Sequence, residues 1–512
     1  MRPDPGTHRD EPAAPPAAGP GAAPTAIPQV PRPGGGPGAP GGPAPAGEPE
    51  AAGGPQASPG APPAGSPGVA RAGAAGGEGT GQEGAGREGL GDEAAGAGDE
   101  GALETGIRRL LPALEAALPR EALVALAQDL IRAVTVNPPG DEGRAAAVTI
   151  PWLEAHGFAV RVYEPRPGRV NVIARRRGPE PGPNLLWCGH LDVVEPGDGA
   201  AWPHPPFAAI VEGDRLYGRG AVDMKGPVAA ALGAAAALHR LGGPRRGELV
   251  LALVADEEAM GRWGTRWLVE RGLLRADGAI VGEPTRLHLV RAQRGAAWIH
   301  LRLDGRSAHA ATPHRGASAV AAAARLVLEL EERVWDAFHP LLGPPTASVG
   351  TIRGGDSPNR VPDRCELVVD RRAVPGETEA AVRQEVEAVV AQVLARHPGV
   401  RAAITRWRWA EPAETPPGAA VVRLVEAAGR AVTGQDLPEA GTVAVTDMRY
   451  LVAAGIPTVI VGPGRPDLAH APGEFIRLDE LAQGALLYAA TFAGWLGVAG
   501  DPGPAPGTVG PA

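Results

Sequence analysis

Residues 184–192 read Asn-Leu-Leu-Trp-Cys-Gly-His-Leu-Asp, and residues 248–258 read Glu-Leu-Val-Leu-Ala-Leu-Val-Ala-Asp-Glu-Glu. Each stretch is an apolar run of strand length that ends in ionisable side chains. A continuous apolar run is typical of a strand that is covered on both faces, as in a parallel sheet. Because helical patterns lie between the strands, at about 224–241 and 262–271, the sequence predicts an α/β fold with a mostly parallel sheet.

A second pattern begins near Gly295. From there the predicted elements follow the order βαββαβ, which is the order of a ferredoxin-like α+β sandwich. The alternation of strands and helices returns near residue 414. We therefore predict a larger α/β domain built from residues 105–295 and 414–500, with a smaller α+β domain inserted at 296–413.

The first hundred residues differ in composition from the rest of the chain. They hold 26 Gly and 20 Pro, and no Phe, Trp or Tyr. Such a segment cannot bury enough apolar surface to offset the entropy lost on ordering. We predict a disordered tail over residues 1–104 and a flexible C-terminus over 501–512.

The charge distribution argues against several partners. The formal net charge of the whole chain is −9, and the first hundred residues contribute −7 of it. The remainder is therefore close to neutral, which does not favour nucleic acid or an anionic membrane as partner. We expect neither.

Three features bear on the compartment. Cys188 and Cys365 are the only cysteines, too few for a disulfide framework. The stretch Leu481–Gly500 carries no charge, but its glycines and polar residues favour a buried C-terminal helix over a membrane span. The N-terminus also lacks the pattern of a secretory signal. We therefore expect a soluble, cytoplasmic protein.

Ionisable side chains follow the predicted strands of the larger domain. In an open α/β sheet, functional groups gather at the carboxyl ends of the strands. Taken singly, each of these residues has a simpler explanation, such as a helix N-cap or a solvated turn. Taken together, crowded carboxylates repel one another unless cations neutralise them, and His with carboxylates suits an ion such as Zn²⁺. Five ligands with one shared carboxylate suit two ions about 3.5–4 Å apart. The residues are His190, Asp192, Asp223, Glu257, Glu258, Glu283 and His470.

Four short sequence motifs that contain these residues carry a family resemblance. The sequence is similar to the dinuclear zinc hydrolases of the acetylornithine deacetylase and succinyl-diaminopimelate desuccinylase family, which also includes aminoacylases and glutamate carboxypeptidases. The resemblance extends over about residues 120–497. The motifs are Gly-His-Leu-Asp-Val-Val at 189–194, Gly-Arg-Gly-Ala-Val-Asp-Met-Lys-Gly at 218–226, Asp-Glu-Glu at 256–258 and Gly-Glu-Pro-Thr at 282–285.

The resemblance implies a metal-binding role for five residues. His190 and Glu283 would hold one Zn²⁺ ion. Glu258 and His470 would hold the second ion, and Asp223 would bridge the two. Co²⁺ or Mn²⁺ would also accept this ligand set.

Two further carboxylates would assist the reaction. Asp192 would accept the N–H of His190 and fix the tautomer of that ring. Glu257 would act as the general base that takes a proton from the attacking water.

In the family, the smaller domain serves as a lid and a dimerisation domain. A His at the position of His309 reaches into the partner subunit's active site, where it polarises the scissile carbonyl. His314 lies close by in the sequence and is the alternative candidate. The resemblance therefore implies a homodimer.

The resemblance also implies contacts to the substrate. Asn359 and Arg372 match positions that hold a substrate carboxylate, for which a guanidinium fork is well suited. Arg371 is adjacent to Arg372 and is an alternative. Gly462 fits a turn that passes close to the substrate, although an ordinary turn at a strand end explains it equally well.

These observations predict an enzyme. The leading hypothesis is a two-zinc amidohydrolase that cleaves the amide bond of an N-acyl-α-amino acid, as a deacetylase or desuccinylase does. The first alternative is a dipeptidase or carboxypeptidase with the same site. The second is a relative that binds a ligand without catalysis.

Overall fold

The computed structural model describes residues 91–499 and 501, with side chains from residue 101 onward. The predicted tail up to residue 90 and the C-terminus beyond 501 lie outside the described residues. Those residues form ten α-helices and sixteen strands. The helices are α1 (Gly91–Ala116), α2 (Arg120–Arg132), α3 (Gly143–Ala155), α4 (Lys225–Arg240), α5 (Thr265–Glu270), α6 (Ala319–Glu331), α7 (Glu379–Ala395), α8 (Ala420–Thr433), α9 (Met448–Ala453) and α10 (Leu478–Leu496). The strands are β1 (Ala159–Arg166), β2 (Arg169–Arg177), β3 (Glu180–His190), β4 (Ile210–Glu212), β5 (Arg215–Tyr217), β6 (Arg246–Val254), β7 (Gly278–Val281), β8 (Leu289–Gln293), β9 (Gly295–Asp304), β10 (Thr346–Gly354), β11 (Arg364–Ala373), β12 (Arg401–Ala410), β13 (Ala413–Glu414), β14 (Glu439–Thr442), β15 (Thr458–Ile460) and β16 (Phe475–Arg477).

The large sheet has the order β1-β2-β6-β3-β7-β15-β8-β13, and β14 pairs with β8. Its central strands β6, β3, β7 and β15 are parallel, as predicted. The outer pairs β1–β2, β2–β6, β15–β8 and β8–β13 are antiparallel and flank this parallel centre. For β1 and β2 the physical reason is connection length, because only residues 167–168 join them and a parallel pair needs a crossover of a dozen residues or more.

Strand β3 is buried on both faces, which confirms the interpretation of its apolar run. Leu185 and Trp187 point into the core formed with α4 and α10. Leu186 and Cys188 point into the opposite core, which contains residues of α5 and α9. Helix α10 packs along α4, in keeping with the predicted buried C-terminal helix. Among the described residues, no helix has the length and apolar character needed to cross a bilayer.

The smaller domain has the predicted element order. Its strands form a separate antiparallel sheet in the order β10-β11-β9-β12, and α6 and α7 pack together on it. The chain enters this domain where β8 continues into β9 and leaves it where β12 continues into β13. The two crossings are neighbours, because Ala413 pairs with Gln293 on one side of the junction and Ala410 pairs with Ala296 on the other.

Helix α1 begins earlier than the sequence predicts. Helical spacing is evident only from Ile107, yet the helix starts at Gly91, so residues 91–104 of the predicted tail are helical. From residue 101 onward the helix is supported by tertiary packing. Ile107 and Leu114 lie in the main core, Leu103 packs against it, and α1 contacts both α8 and α10.

This boundary leads to a test of where the folded body begins. Replacing Ile107, which is 1% exposed, with Ala should lower the free energy of unfolding by about 2–4 kcal/mol. Removing residues 1–90 should leave that energy unchanged, because the segment offers almost no apolar side chains larger than Ala to bury. Urea-induced unfolding measures both. A truncated protein that unfolds at clearly lower urea than the full chain would contradict this prediction.

Candidate metal centre

The predicted ligands meet at one edge of the large sheet. His190 is the last residue of β3, and Glu258 lies in a short 3₁₀ turn directly after β6. Glu283 follows β7, and His470 follows β15. Asp223 reaches the same place from the loop before α4. Because β3, β6, β7 and β15 are parallel, their carboxyl ends bring these side chains together.

Asp223 lies between the two imidazoles. One carboxylate oxygen, Oδ1, is 3.0 Å from Nε2 of His190, and the other, Oδ2, is 3.3 Å from Nε2 of His470. Each oxygen thus faces a different histidine, which is the arrangement expected of a carboxylate that bridges two ions.

Each imidazole has a second carboxylate neighbour. Oε2 of Glu258 is 3.1 Å from Nε2 of His470, and Oε1 of Glu283 is 3.7 Å from Nε2 of His190. Potential ligand atoms of His190, Asp223 and Glu258 lie within 4.8 Å of one another. Oε1 of Glu258 is buried and has no hydrogen-bond partner, so a cation would satisfy it. The residues therefore fit a metal site.

The crowding shifts the pKa values of these groups strongly. Hydrogen bonds to Asp223 and Glu258 raise the pKa of His470 to about 10. Burial alone would lower the pKa of His190, but the surrounding carboxylates, with Glu283 first, raise it well above its usual value. Burial, reinforced by Glu283, raises the pKa of Glu257 well above that of an ordinary glutamate. In the metal-free protein the centre therefore holds protons in place of cations.

Asp192 supports the ligand His190, but through its backbone carbonyl rather than through the carboxylate that the resemblance implies. Nδ1 of His190 donates to the backbone carbonyl of Asp192 at 2.9 Å, whereas the carboxylate is 3.6 Å away. The Asp192 carboxylate instead accepts the backbone N–H groups of Glu257 and Glu258, each at 3.2 Å. Asn137 donates to it as well, at 2.8 Å. Asp192 therefore fixes both the histidine and the turn that follows β6.

A buried arginine network that the sequence did not reveal supports this turn. Arg169 contacts Asp256 at 2.7 Å and Glu142 at 3.0 Å, and all three side chains are almost fully buried. Asp256 has a left-handed backbone (φ 69°), and its side chain also accepts the N–H of Trp263. Burial, together with nearby Asp192, raises the pKa of Glu142 to about 7. The network holds the unusual backbone of Asp256 in place directly before Glu257.

A second buried pair joins two of the ligand loops. Glu474 accepts the backbone N–H groups of Val222 and Asp223, at 2.7 and 3.0 Å, and pairs with Arg219 at 2.5 Å. Arg219 also donates to the backbone carbonyl of His470 at 3.1 Å. The pair therefore couples the loop of Asp223 to that of His470, which has a left-handed backbone (φ 61°). Arg219 lies inside the motif 218–226, but no pattern in the sequence singles out Glu474.

Residues at the start of α9 also contact the turn that carries Glu257. Tyr450 Oη and Arg449 both donate to the carbonyl of Met260, at 2.7 and 3.1 Å. Asp447 accepts the hydroxyl of Thr265 at 2.6 Å, and its other oxygen lies against Gly261. A Cβ at Gly261 would approach that oxygen to 2.9 Å, and its φ of 66° also favours glycine.

The residues of the smaller domain lie apart from this cluster. His309 is exposed, and its Nδ1 accepts the backbone N–H of Ala311 at 3.1 Å. Asn359 lies beside it, since its carbonyl accepts the N–H of Ala310. His314 is also exposed, in a short 3₁₀ turn. No ion pair or hydrogen bond between described residues joins His309 or Asn359 to the metal ligands.

The adjacent arginines at the end of β11 have different environments. Arg371 is fully buried and pairs with Glu377 and Glu385. Arg372 is partly exposed and pairs with Asp370 at 2.8 Å. Arg371 therefore has a structural role in the smaller domain, and of the two only Arg372 has an accessible guanidinium.

Gly462 packs against the backbone that carries Glu283. A Cβ there would come within 2.4 Å of the Gly282 carbonyl oxygen. Its own N–H donates to Thr285 Oγ1, and its carbonyl accepts the N–H groups of Thr285 and Leu287. The observed reason for glycine is this close approach, and its contact with a substrate stays a prediction.

The site brings two imidazoles and three carboxylates together, and the carboxylate of Glu257, which has no partner among the described residues, lies next to them. This is the arrangement of a metal-dependent hydrolase.

Comparison with known sequences supports the same class of enzyme. Residues 186–493 match peptidase family M20/M25/M40. An acetylornithine deacetylase from Myxococcus xanthus is 36% identical over 345 residues, covering 65% of this chain and 86% of the relative. A succinyl-diaminopimelate desuccinylase from Caulobacter sp. (strain K31) is 34% identical over 378 residues, covering 72% of this chain and 94% of the relative.

The protein belongs to peptidase family M20/M25/M40 and is a metallohydrolase. The fold agrees with solved structures. A tripeptidase from Staphylococcus aureus superposes with a TM-score of 0.62 at 20% identity, over 73% of this chain and 98% of its own. A dinuclear metal-binding M20 peptidase from Bacillus subtilis gives 0.57 at 17% identity, over 74% and 98%. The predicted family, the fold class and the interpretation as an enzyme are confirmed.

The coupling role of Glu474 can be tested by metal binding. Glu474→Gln keeps the size of the side chain but turns one acceptor oxygen into a donor, so Asp223 and His470 lose their common support. We expect an affinity for Zn²⁺ that is about 10–100-fold lower, with an unchanged circular dichroism spectrum. Glu480→Gln is the matched control, because Glu480 forms no ion pair with another described residue. Equal affinities for the two variants would contradict the role.

The raised pKa values predict proton release on metal binding. The pKa of His470 is raised to about 10, so this ring holds a proton at pH 7 in the metal-free protein. The surrounding carboxylates also raise the pKa of His190 well above its usual value. A metal ligand must be deprotonated, so binding should release protons from these groups, and the affinity should rise with pH. Calorimetry in buffers of different ionisation enthalpy counts these protons. A binding enthalpy that is independent of the buffer would refute the prediction.

Proposed function

We propose that the protein is an N-acyl-α-amino acid amidohydrolase that uses two Zn²⁺ ions per subunit. The observation that carries this proposal is Asp223, whose two oxygens face His190 and His470 separately. The acyl-amino acid substrate class follows from the names of the relatives, which are 32–36% identical and remove acetyl or succinyl groups.

The proposed ligands divide into two half-sites. His190 and Glu283 with Oδ1 of Asp223 would hold one ion, and His470 and Glu258 with Oδ2 would hold the other. When bound, the ions polarise the scissile carbonyl and make a water molecule acidic enough to attack at neutral pH. Nitrogen and oxygen donors of this kind suit Zn²⁺, and they also accept Co²⁺ or Mn²⁺.

Glu257 is the proposed general base. Its backbone is held by Asp192, while its carboxylate has no hydrogen-bond or ion-pair partner among the described residues. One of its oxygens lies within 4.8 Å of potential ligand atoms on His190 and Glu283. Burial raises the pKa of Glu257, which makes it a stronger base than an exposed glutamate. It would take the proton of the water and pass it to the leaving amine.

His309 is the proposed donor to the developing oxyanion. Because its Nδ1 accepts a hydrogen bond from Ala311, the neutral ring carries its proton on Nε2, and this side chain is exposed. It lies in the smaller domain, apart from the metal ligands of its own chain, so we assign it to the partner subunit's site in a homodimer. The neighbouring Asn359 and the accessible Arg372 would bind the substrate carboxylate.

We place the enzyme in the cytoplasm. Cys188 and Cys365 are both buried and unpaired. Free thiols are typical of a reducing compartment.

A substrate panel tests the proposed reaction. N-acetyl-amino acids, N-succinyl-amino acids and dipeptides are each incubated with the protein and added Zn²⁺ or Co²⁺. We expect kcat/KM to be highest for an N-acyl-amino acid. Faster cleavage of dipeptides would replace the proposal with a dipeptidase.

Replacing the base should abolish turnover without removing the metal. Glu257→Gln keeps the volume of the side chain but cannot accept the proton of the water, so kcat should fall by about 10²–10⁴-fold or more. Bound metal, measured by atomic absorption, should stay at the wild-type level. If the variant kept more than about a tenth of the wild-type kcat, Glu257 would not be the base.

The placement of His309 predicts complementation between subunits. His309→Ala and Glu257→Gln should each be inactive, yet a mixture should regain activity. A mixed dimer has one site with an intact base from one chain and an intact His309 from the other. With random exchange, half of the dimers are mixed and each has one good site, so activity should reach about a quarter of wild type.

Subunit exchange must be shown independently, for example by mass spectrometry of dimers that carry two different tags. Exchange without any recovered activity would place His309 outside the mechanism or in its own subunit's site.

A further inference from the structure

A cavity of about 730 Å³ lies at the edge of the large sheet opposite to the metal centre. It is lined by residues near the end of β2 and the beginnings of β1 and β6. Glu248, in its wall, is six residues before Val254 at the other end of β6, so the cavity and the metal centre are separated by about 20 Å or more of strand. It is therefore a separate feature of the molecule.

Four arginines surround this cavity: Arg161 on β1, and Arg175, Arg176 and Arg177 at the end of β2. Because Ala159 pairs with Arg175, the side chains of Arg161, Arg175 and Arg177 share one face of the sheet, and Arg176 points to the other. All four arginines nevertheless line the cavity, which lies at the strand ends.

The described residues of the wall balance only part of the positive charge of the cavity. Among them Glu248 is the only acidic residue, and it pairs with Arg175 at 2.6 Å. Among the described residues, Arg161, Arg176 and Arg177 have no carboxylate within ion-pair distance. Like charges held this close repel one another unless an anion neutralises them.

Arg176 is held in a fixed position by the backbone. It donates to the carbonyl of His156 at 2.7 Å, and it lies against Gly157 and Gly243, where a Cβ would come within 2.0 and 2.7 Å of its guanidinium. Both glycines also have positive φ angles, 76° and 89°. The backbone at these two glycines therefore leaves room for the guanidinium of Arg176, which is also one of the residues that line the cavity.

We propose that this cavity binds a small anion that carries a diphosphate group. Guanidinium forks match phosphate oxygens in pairs, and several of them around one opening suit two linked phosphates better than a single one. The volume is in the range of small-molecule sites. Free pyrophosphate and the diphosphate of a nucleotide share this chemistry. The proposal does not depend on the catalytic function proposed above.

Calorimetry with the metal-loaded full chain tests the proposal, with inorganic pyrophosphate and ADP as separate probes. Arg161→Ala/Arg177→Ala removes two exposed arginines of the cavity that have no carboxylate partners. The control Arg401→Ala/Arg406→Ala removes the same charge from exposed positions on β12. We expect the cavity variant to bind the better probe at least tenfold more weakly, while the control variant binds like wild type.

The outcomes separate the possibilities. Tighter binding of ADP would identify a nucleotide as the source of the diphosphate, and tighter binding of pyrophosphate would identify the free anion. Binding that survives unchanged in the cavity variant would place the anion outside the cavity and overturn the proposal. If both double variants bind the probe equally weakly, the binding depends only on the net charge of the protein, and this result would also overturn the proposal.

Discussion

The metal centre depends on the carboxylate and carbonyl of one residue, Asp192. Its carbonyl orients His190, and its carboxylate holds the backbone N–H groups of Glu257 and Glu258. A metal ligand from β3 and the turn that follows β6 are thereby fixed relative to each other. Because a change of about 1 Å in the position of a reacting group can cost two orders of magnitude in rate, this shared support matters as much as the ligands themselves.

The centre also illustrates how a protein keeps many carboxylates close together. Asp223, Glu257, Glu258 and Glu283 would repel one another if all were charged, and burial would add to the cost. In the metal-free protein, protons on the neighbouring groups relieve this repulsion, as the raised pKa values of the histidines and of Glu257 show. The supporting ion pairs, Arg169–Asp256 and Arg219–Glu474, lie outside this group, so they hold its backbone without occupying the ligand oxygens.

Much of the site could be predicted from the sequence, because parallel strands place their carboxyl ends together and His190, Glu258 and Glu283 directly follow strands. The supporting residues could not. Glu474 contacts Asp223 across 251 residues of chain, and no periodic pattern connects them. The antiparallel outer strands were also missed, because the apolar pattern of β2 shows burial but not direction. The roles of His309, Asn359 and Arg372 stay predictions, since they concern a substrate and a partner subunit.

The two crossings between the domains lie side by side, so the smaller domain is inserted into the larger one as a single unit, which we call the cassette. The strands on the catalytic side of the junction, β8 and β13, are already paired, so their ends are only about 4.8 Å apart. A tight two-residue turn would close that gap. Every proposed metal ligand lies outside the cassette, whereas His309, Asn359 and Arg372 lie inside it. The proposed substrate contacts and the proposed metal ligands therefore lie on separate segments of the chain, so one set can change while the other is kept.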